Sequence, residues 1–529
     1  METCKELEAF TSINPFTISK EKPGKLYNLV EGKWKETKEY QWVKDPLTGD
    51  NIIQMPKTSV DELKEVAESM KKCPKSGLHN PLKNVDRYVL YGKVCQRASE
   101  LLHNPIIQKH FAKLNNIFIP KSDEQSLGEV KGVMNFLDNF SVDNVIFLAS
   151  TFQYPGDHEG QFTTGYRWPY GPVIIISPFN FPFRIPALQL LGALFMGNKV
   201  LIKPHSKTNA VMEEFVRLLI YSGMPPTDVN LLHISGPVLE KIYSMVDIRM
   251  TQFTGSSDVA EKLSEVTNGK IKMEDSGFDW KILGPDVSNP EVIAYQCDQV
   301  AYALSGQKCS AEKMLFIHSN WLKPELNLLN KLKEKAECRS LAEKTISPLL
   351  SIRNKEILGH IDQLIKMDGS KVLYGGKPLE NHRIPEEYCS FYPTGVFVPL
   401  KHFQNPESLK ILTREIFGPF QIITEYGDQD IATLLAVLES IPLHLTAAIV
   451  SNIPEFNNKV IGHSVNGYTY IGQKARTTGS AAYNHYGPSG DPRAAGLGSP
   501  NAIRYTCSCH REIVTDELMP ATFVPPKPT

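Results

Sequence analysis

The run Val173-Ile174-Ile175-Ile176 limits the fold more than any other stretch of this chain. Four consecutive β-branched residues leave no polar face, so they read as a strand buried on both sides, as in a parallel sheet. The following residues keep a regular pitch. Helices are expected over 186–196 and 210–222, stopped by Gly197 and Gly223, with strands over 199–203 and 230–234. A helix over 239–246, a strand over 250–253 and a helix over 258–263 continue the series. Strand–helix repetition of this kind implies right-handed crossovers in a doubly wound α/β sheet. A second α/β region runs from near Trp280 to about Gly496, with strands near 314–317 and 447–450 and helices over 296–304, 324–336 and 431–439.

Upstream, Ser59 followed by Glu62 is a capping box opening a helix over 59–71, and apolar spacing predicts helices over 86–102 and 126–140. Residues 144–164 read as an extended excursion, and the Pro-rich end FVPPKPT as a tail draped over the surface or a partner subunit. A chain of 529 residues needs more than one core. Its 57 Lys and Arg against 58 Asp and Glu leave a net charge of −1, which argues against nucleic acid or an anionic membrane as partner. Apolar runs such as 188–196 fall far short of the roughly 20 residues a bilayer requires. The start carries Glu2, Glu6 and Glu8 and no Arg before Arg87, unlike a secretory or transit segment. Nine scattered cysteines fit reduced thiols in an intracellular compartment. Cys507-Ser508-Cys509-His510 lacks further ligands at metal-site spacing, so an alternating strand is expected there and no metal.

Several short segments carry chemistry. Phe253-Thr254-Gly255-Ser256-Ser257 joins a strand to a helix, where free N–H groups suit a phosphate, although such turns also cap helices with no ligand. Pro178-Phe179-Asn180-Phe181-Pro182 follows the buried strand, and the Asn180 amide can hold an oxyanion or simply brace a turn. Cys309, in Ser305-Gly306-Gln307-Lys308-Cys309-Ser310-Ala311, sits at an element boundary, where Lys308 is expected to favour the thiolate; a lone Cys is otherwise a small core residue. Glu274 can activate water against a thioester. Glu415-Ile416-Phe417-Gly418-Pro419 sets a carboxylate beside an aromatic, and Lys203-Pro204 ends a strand.

In this order, PFNFP, KP, FTGS, Glu274, GQKCSA and EIFGP resemble the aldehyde dehydrogenase superfamily across nearly the whole chain. The resemblance implies a Rossmann-type NAD-binding domain over 1–143 and 164–276, an α/β catalytic domain over 277–495, and a small β oligomerisation arm and tail over 144–163 and 496–529. It makes Cys309 the nucleophile, Glu274 the general base and Asn180 an oxyanion donor. NAD is the implied cofactor, held by Ser177, Phe179, Lys203, Ser206, Gly255, Ser256, Glu415 and Phe417. Segments such as GYRWPYGPV, MEDSGFDWKILGPD and YGPSGDPRAAGLGSP are similar to the plant-type pyrroline-5-carboxylate dehydrogenases. That implies L-glutamate γ-semialdehyde as substrate, met by Phe181, Lys308, Ser310, Thr478, Gly479 and Ser480, with Glu129 a candidate for the substrate ammonium.

The chain also departs from the family pattern. Asp275-Ser276-Gly277-Phe278 follows the base where Leu-Gly-Gly-Lys is common, Tyr486-Gly487-Pro488 replaces Pro-Phe-Gly-Gly, and Ser206 stands where a ribose-binding Glu is frequent. The alternatives are another aldehyde oxidation, such as that of succinate semialdehyde, and a non-catalytic scaffold. The resemblance also implies a homo-oligomer, dimer or tetramer, in the mitochondrial matrix, with a cytoplasmic location the alternative.

Overall fold

The computed structural model describes residues 3–275, 277–479, 485–486 and 491–529. The first sheet runs in the order Ile271–Glu274, Met250–Thr254, Pro172–Ile176, Lys199–Lys203, Val229–Leu231, Asn28–Val30, Lys33–Lys35. Its first five strands are parallel, and the last two extend the edge antiparallel. Chain order reverses between Pro172–Ile176 and Met250–Thr254, which opens a crevice at their carboxyl ends. The register aligns Ile176 with Lys203 and Phe253, and Thr254 with Glu274, so four strands end at one level beside that crevice.

The helix Arg184–Phe195 is buried at every position from Ile185 to Phe195. It is apolar all round because it lies between the sheet and the helices Asp86–Leu102, Asp123–Asn139 and Pro500–Cys507. Gly197 ends this stretch at φ +90°, where a Cβ would come within 2.1 Å of the His79 carbonyl, so only glycine fits.

The second sheet runs Lys371–Tyr374, Thr394–Phe397, Phe420–Tyr426, Glu312–His318, Asp279–Leu283, Thr446–Val450, Tyr468–Ile471, all parallel except the first. Period-two alternation sends Ile282, Met314 and Phe316 into one core and Leu283, Leu315 and Ile317 into another, so both faces are covered. A third, antiparallel sheet pairs Phe152–Pro155 with Phe162–Pro169, and Phe162–Pro169 with Ser508–Thr515 along eight residues. Among the described residues no helix is long and apolar enough to cross a membrane.

Some elements differ from expectation. Residues 144–164 are not extended throughout: the 3₁₀ segment Val142–Ala149 precedes the strand Phe152–Pro155. Two one-turn helices, Gly236–Leu239 and Ile242–Met245, replace a single helix over 239–246. The helix Pro290–Tyr302 begins earlier than expected because Asn289 caps its first N–H groups and Pro290 occupies the first turn. An unanticipated helix, Pro105–Phe118, uses the same device, with Asn104 accepting from Ile106 N at 2.9 Å. Cys507 ends the helix Pro500–Cys507, so the expected strand starts one residue later, at Ser508.

Candidate active site

A cleft of about 800 Å³ occupies the crevice. Ser177, Phe179 and Asn180 line it from the strand Pro172–Ile176, Lys203 and Ser206 from Lys199–Lys203, and Gly255 and Ser256 from Met250–Thr254. Glu274, at the end of Ile271–Glu274, and Cys309, Glu415 and Phe417, which precede strands of the second sheet, complete it. The structure therefore brings eleven of the expected site residues, scattered from 177 to 417, into one cavity.

Cys309 sits on an unusual turn. Leu304, Ser305 and Gly306 take φ values of +58°, +50° and +66°, a left-handed run that two non-glycine residues rarely adopt. Three contacts hold the turn in place. Gln307 Oε1 accepts from Leu350 N at 2.9 Å, Gln307 Nε2 donates to the Pro348 carbonyl at 3.0 Å, and Ser305 Oγ accepts from Ser347 N at 2.7 Å. The Asn180 amide donates to the Gln307 carbonyl at 3.1 Å, which places it beside the thiol and leaves its second N–H available. Opposite, a Cβ on Gly277 would meet the Cys309 carbonyl at 2.1 Å. This explains glycine at 277 in the segment that departs from the family pattern.

The Glu274 carboxylate lies against the Cys309 thiol, and neither of its oxygens has a well-aligned hydrogen bond. Burial raises its pKa to about 7, against the smaller opposing pull of Cys309. Burial and then the Glu274 charge push the Cys309 thiol well above its ordinary value. The expectation that Lys308 would lower it is corrected. Lys308 donates Nζ to the Gln299 carbonyl at 3.1 Å and does not line the cleft, and burial with the Glu274 charge outweighs it at the thiol.

The cleft fits a dinucleotide. Ser256 caps the ten-residue helix Ser257–Val266 without bonding it through its side chain, so the first N–H groups and the hydroxyl are open to an anion. Buried Ser177 Oγ and Glu415 Oε1 have no hydrogen-bond partner, and both suit a hydroxyl-rich ligand. Burial raises the Glu415 pKa, opposed by Lys313 and the Gly277 N–H. Burial alone takes Lys203 down to about 8. Phe179 and Phe417 stand edge to face, their centroids 5.8 Å apart.

A second group adjoins the thiol turn. Thr477 Oγ1 donates to the Ser310 carbonyl at 2.7 Å, tying the segment of Thr478 and Gly479 to Cys309's neighbour. Gly479 has no room for a side chain, since a Cβ would fall 1.4 Å from the Tyr470 hydroxyl. Phe181 takes two cations over its ring, Lys121 at 5.5 Å and Arg184 at 5.9 Å. Ser480 lies outside the described residues. Glu129 has another task than gripping a ligand. One oxygen pairs Lys121 and Asn115, and the other accepts from the N–H groups of Phe183 and Arg184. Burial opposes its ionisation, but Lys121 and these donors hold its pKa below the usual range.

Sequence reasoning missed His205, Lys313 and Arg184. His205 lines the cleft beside Phe179, and burial, then Lys203 and Lys207, depress it to about 3, so it is neutral at physiological pH. Lys313 donates to the Gly306 carbonyl at 2.9 Å and reaches the Gly418 carbonyl at 3.4 Å, clamping the thiol turn to the Glu415–Phe417 loop. Its position in a strand interior gave no signal.

The family model of aldehyde dehydrogenases matches residues 34–501. A probable aldehyde dehydrogenase of Linum usitatissimum is 48% identical over 507 residues, covering 96% of this chain and 92% of that protein. The mitochondrial delta-1-pyrroline-5-carboxylate dehydrogenase 12A1 of Arabidopsis thaliana is 47% identical over 522 residues, covering 97% and 94%. Among solved structures, an NAD-dependent aldehyde dehydrogenase from Sinorhizobium meliloti superposes with a TM-score of 0.79 at 18% identity, over 97% of this chain and 99% of that one. Aldehyde dehydrogenase 21 from Physcomitrella patens, in complex with succinate, gives 0.77 at 17% identity, over 95% and 100%.

Proposed function

The chain belongs to the aldehyde dehydrogenase family, and from that premise we propose that it oxidises L-glutamate γ-semialdehyde to L-glutamate, with NAD, through a thioester on Cys309. The contact between the Glu274 carboxylate and the Cys309 thiol, in a cleft built for a dinucleotide, carries the chemistry. The Arabidopsis relative, which shares the whole length, supports the substrate.

Cys309 reacts as the thiolate, its proton passing by way of Glu274 to solvent, and Sγ attacks the aldehyde carbon. The carbonyl electron pair moves onto oxygen, where the free N–H of the Asn180 amide and the Cys309 backbone N–H receive it. Ser177, Ser206, Gly255 and Ser256, which line the cleft, would hold the phosphate and adenosine side of the cofactor with Lys203, and Glu415, Phe179 and Phe417 would hold the nicotinamide side. When bound, the nicotinamide supplies the hydride acceptor that turns the adduct into a thioester. Glu274 then deprotonates a water, which attacks the acyl carbon, and the C–S bond breaks to regenerate the thiolate. With a pKa near 7, the same carboxylate gives up and takes back a proton readily at physiological pH.

The arm of Phe152–Pro155, Phe162–Pro169 and Ser508–Thr515 belongs, in this reading, to a homo-oligomer interface. The NAD-binding domain spans 1–143 and 164–276, the catalytic domain 277–495. The mitochondrial matrix is the proposed location, after the Arabidopsis relative. Initial rates of NAD⁺ reduction test the function. Glutamate semialdehyde should exceed succinate semialdehyde in kcat/KM by at least tenfold, and parity between them would reject the substrate.

A further inference from the structure

Arg184 is a guanidinium without an anion. It opens the helix Arg184–Phe195, and among the described residues no carboxylate lies within ion-pair distance of it. Its Nη2 donates to the Gly479 carbonyl at 3.1 Å, while its Nε is buried with no acceptor. The segment 480–490 that continues from Gly479 contains no Asp or Glu to neutralise it. Glu129, a buried acid that bonds the Arg184 backbone, is saturated by Lys121, Asn115 and the backbone of Phe183 and Arg184. A partly buried charge-bearing donor that the protein leaves unmatched is costly unless a ligand matches it.

The surroundings link this donor to the thiol turn: Gly479, whose carbonyl it meets, follows Thr477, which is tied to Ser310 beside Cys309. Its charge acts on Glu274 and on Tyr470, the residue that packs on Gly479. Its plane reaches Phe181, which follows Asn180. The chain also makes room for it: a Cβ on Gly132 would lie 2.7 Å from Arg184 Cδ, so glycine in the helix Asp123–Asn139 gives the arginine stem its path.

We propose that Arg184 is a specificity residue that receives the carboxylate at the far end of the aldehyde substrate, donating through Nε while Nη2 holds the Gly479 loop in place. This rests on the aldehyde dehydrogenase reading above, and deepens it by assigning a charged contact for an anionic substrate. The planar fork suits a carboxylate, which Lys would meet only as a point charge.

The test compares wild type, Arg184→Met and Arg184→Lys on three aldehydes: glutamate semialdehyde, succinate semialdehyde and uncharged butyraldehyde. Arg184→Met should lose about thirtyfold more in kcat/KM on both carboxylate-bearing aldehydes than on butyraldehyde, chiefly through KM. Arg184→Lys should fall between. Calorimetric binding of the product, L-glutamate, should weaken in parallel, and the melting temperature shows that each variant is folded. An equal loss on all three aldehydes, or unchanged L-glutamate binding, overturns the assignment and leaves Arg184 as a brace for the loop. Should wild type prefer succinate semialdehyde while Arg184→Met loses selectively on both carboxylate-bearing aldehydes, the glutamate semialdehyde reading falls and the Arg184 assignment stands. Should wild type prefer glutamate semialdehyde while the variant shows no selective loss on the carboxylate-bearing aldehydes, the reverse holds.

Discussion

Glu274 and Cys309 meet at the seam of two sheets, one closing a strand of the first and the other leading into a strand of the second. The Glu274 charge disfavours ionisation of the Cys309 thiol, while the thiol eases that of Glu274, so the pair holds one proton more readily than none. The base and nucleophile thus share a proton inventory, and their pH behaviour is linked.

The pair predicts a pH profile. Deacylation by Glu274 needs its ionised form, so kcat should rise through about pH 7, and Glu274→Gln should lower kcat by about 10²–10⁴ and remove that limb. Stopped-flow rates of the slow phase against pH check this.

The same shift predicts stability. The folded pKa of Glu274 is raised, so the folded state prefers the proton: the associated stability is full below about pH 4.5 and is lost as pH rises through about 7. Glu274→Gln removes a buried charge and should melt higher than wild type at pH 8, by the equivalent of about 3 kcal/mol at most, and show little gain at pH 5. Scanning calorimetry at the two pH values decides it.

Thiol reactivity should follow. With its pKa raised, Cys309 should alkylate slowly at pH 7 and faster above pH 9, and Glu274→Gln should speed alkylation at pH 8 by removing the adjacent charge. Peptide mapping with iodoacetamide separates Cys309 from exposed Cys338.

The glycines around the turn are steric. Gly277→Ala would drive a methyl into the Cys309 carbonyl, and a displacement near 1 Å at the nucleophile should cost about 10² in kcat, with a melting temperature close to wild type. Gly306→Ala combines φ +66° with a 2.1 Å approach to the Gly418 carbonyl and should destabilise the fold as well.

What could be read from residues alone followed from how local the cause is. Val173–Ile176 and its successors are buried on both faces, so their composition alone marked the parallel strands. The ordered motifs located the cleft because each lies at a strand end, where the register brings distant segments level. Lys308 was misjudged because burial of the thiol and the Glu274 carboxylate, brought from another segment, outweigh a neighbouring cation. Lys313 and Arg184 were missed because their partners, Gly306, Gly418 and Gly479, are backbone carbonyls supplied by other segments, and no spacing encodes those. Glu129 looked like a ligand-binding acid until Lys121 and the helix start at Arg184 claimed both oxygens.

The most direct measurement is intact and peptide mass spectrometry of Glu274→Gln, quenched in acid after mixing with glutamate semialdehyde and NAD⁺. The account predicts a glutamyl adduct confined to the Cys309 peptide, formed with stoichiometric NADH and absent without NAD⁺. NADH released with no adduct on Cys309, or an adduct on another residue, would contradict it.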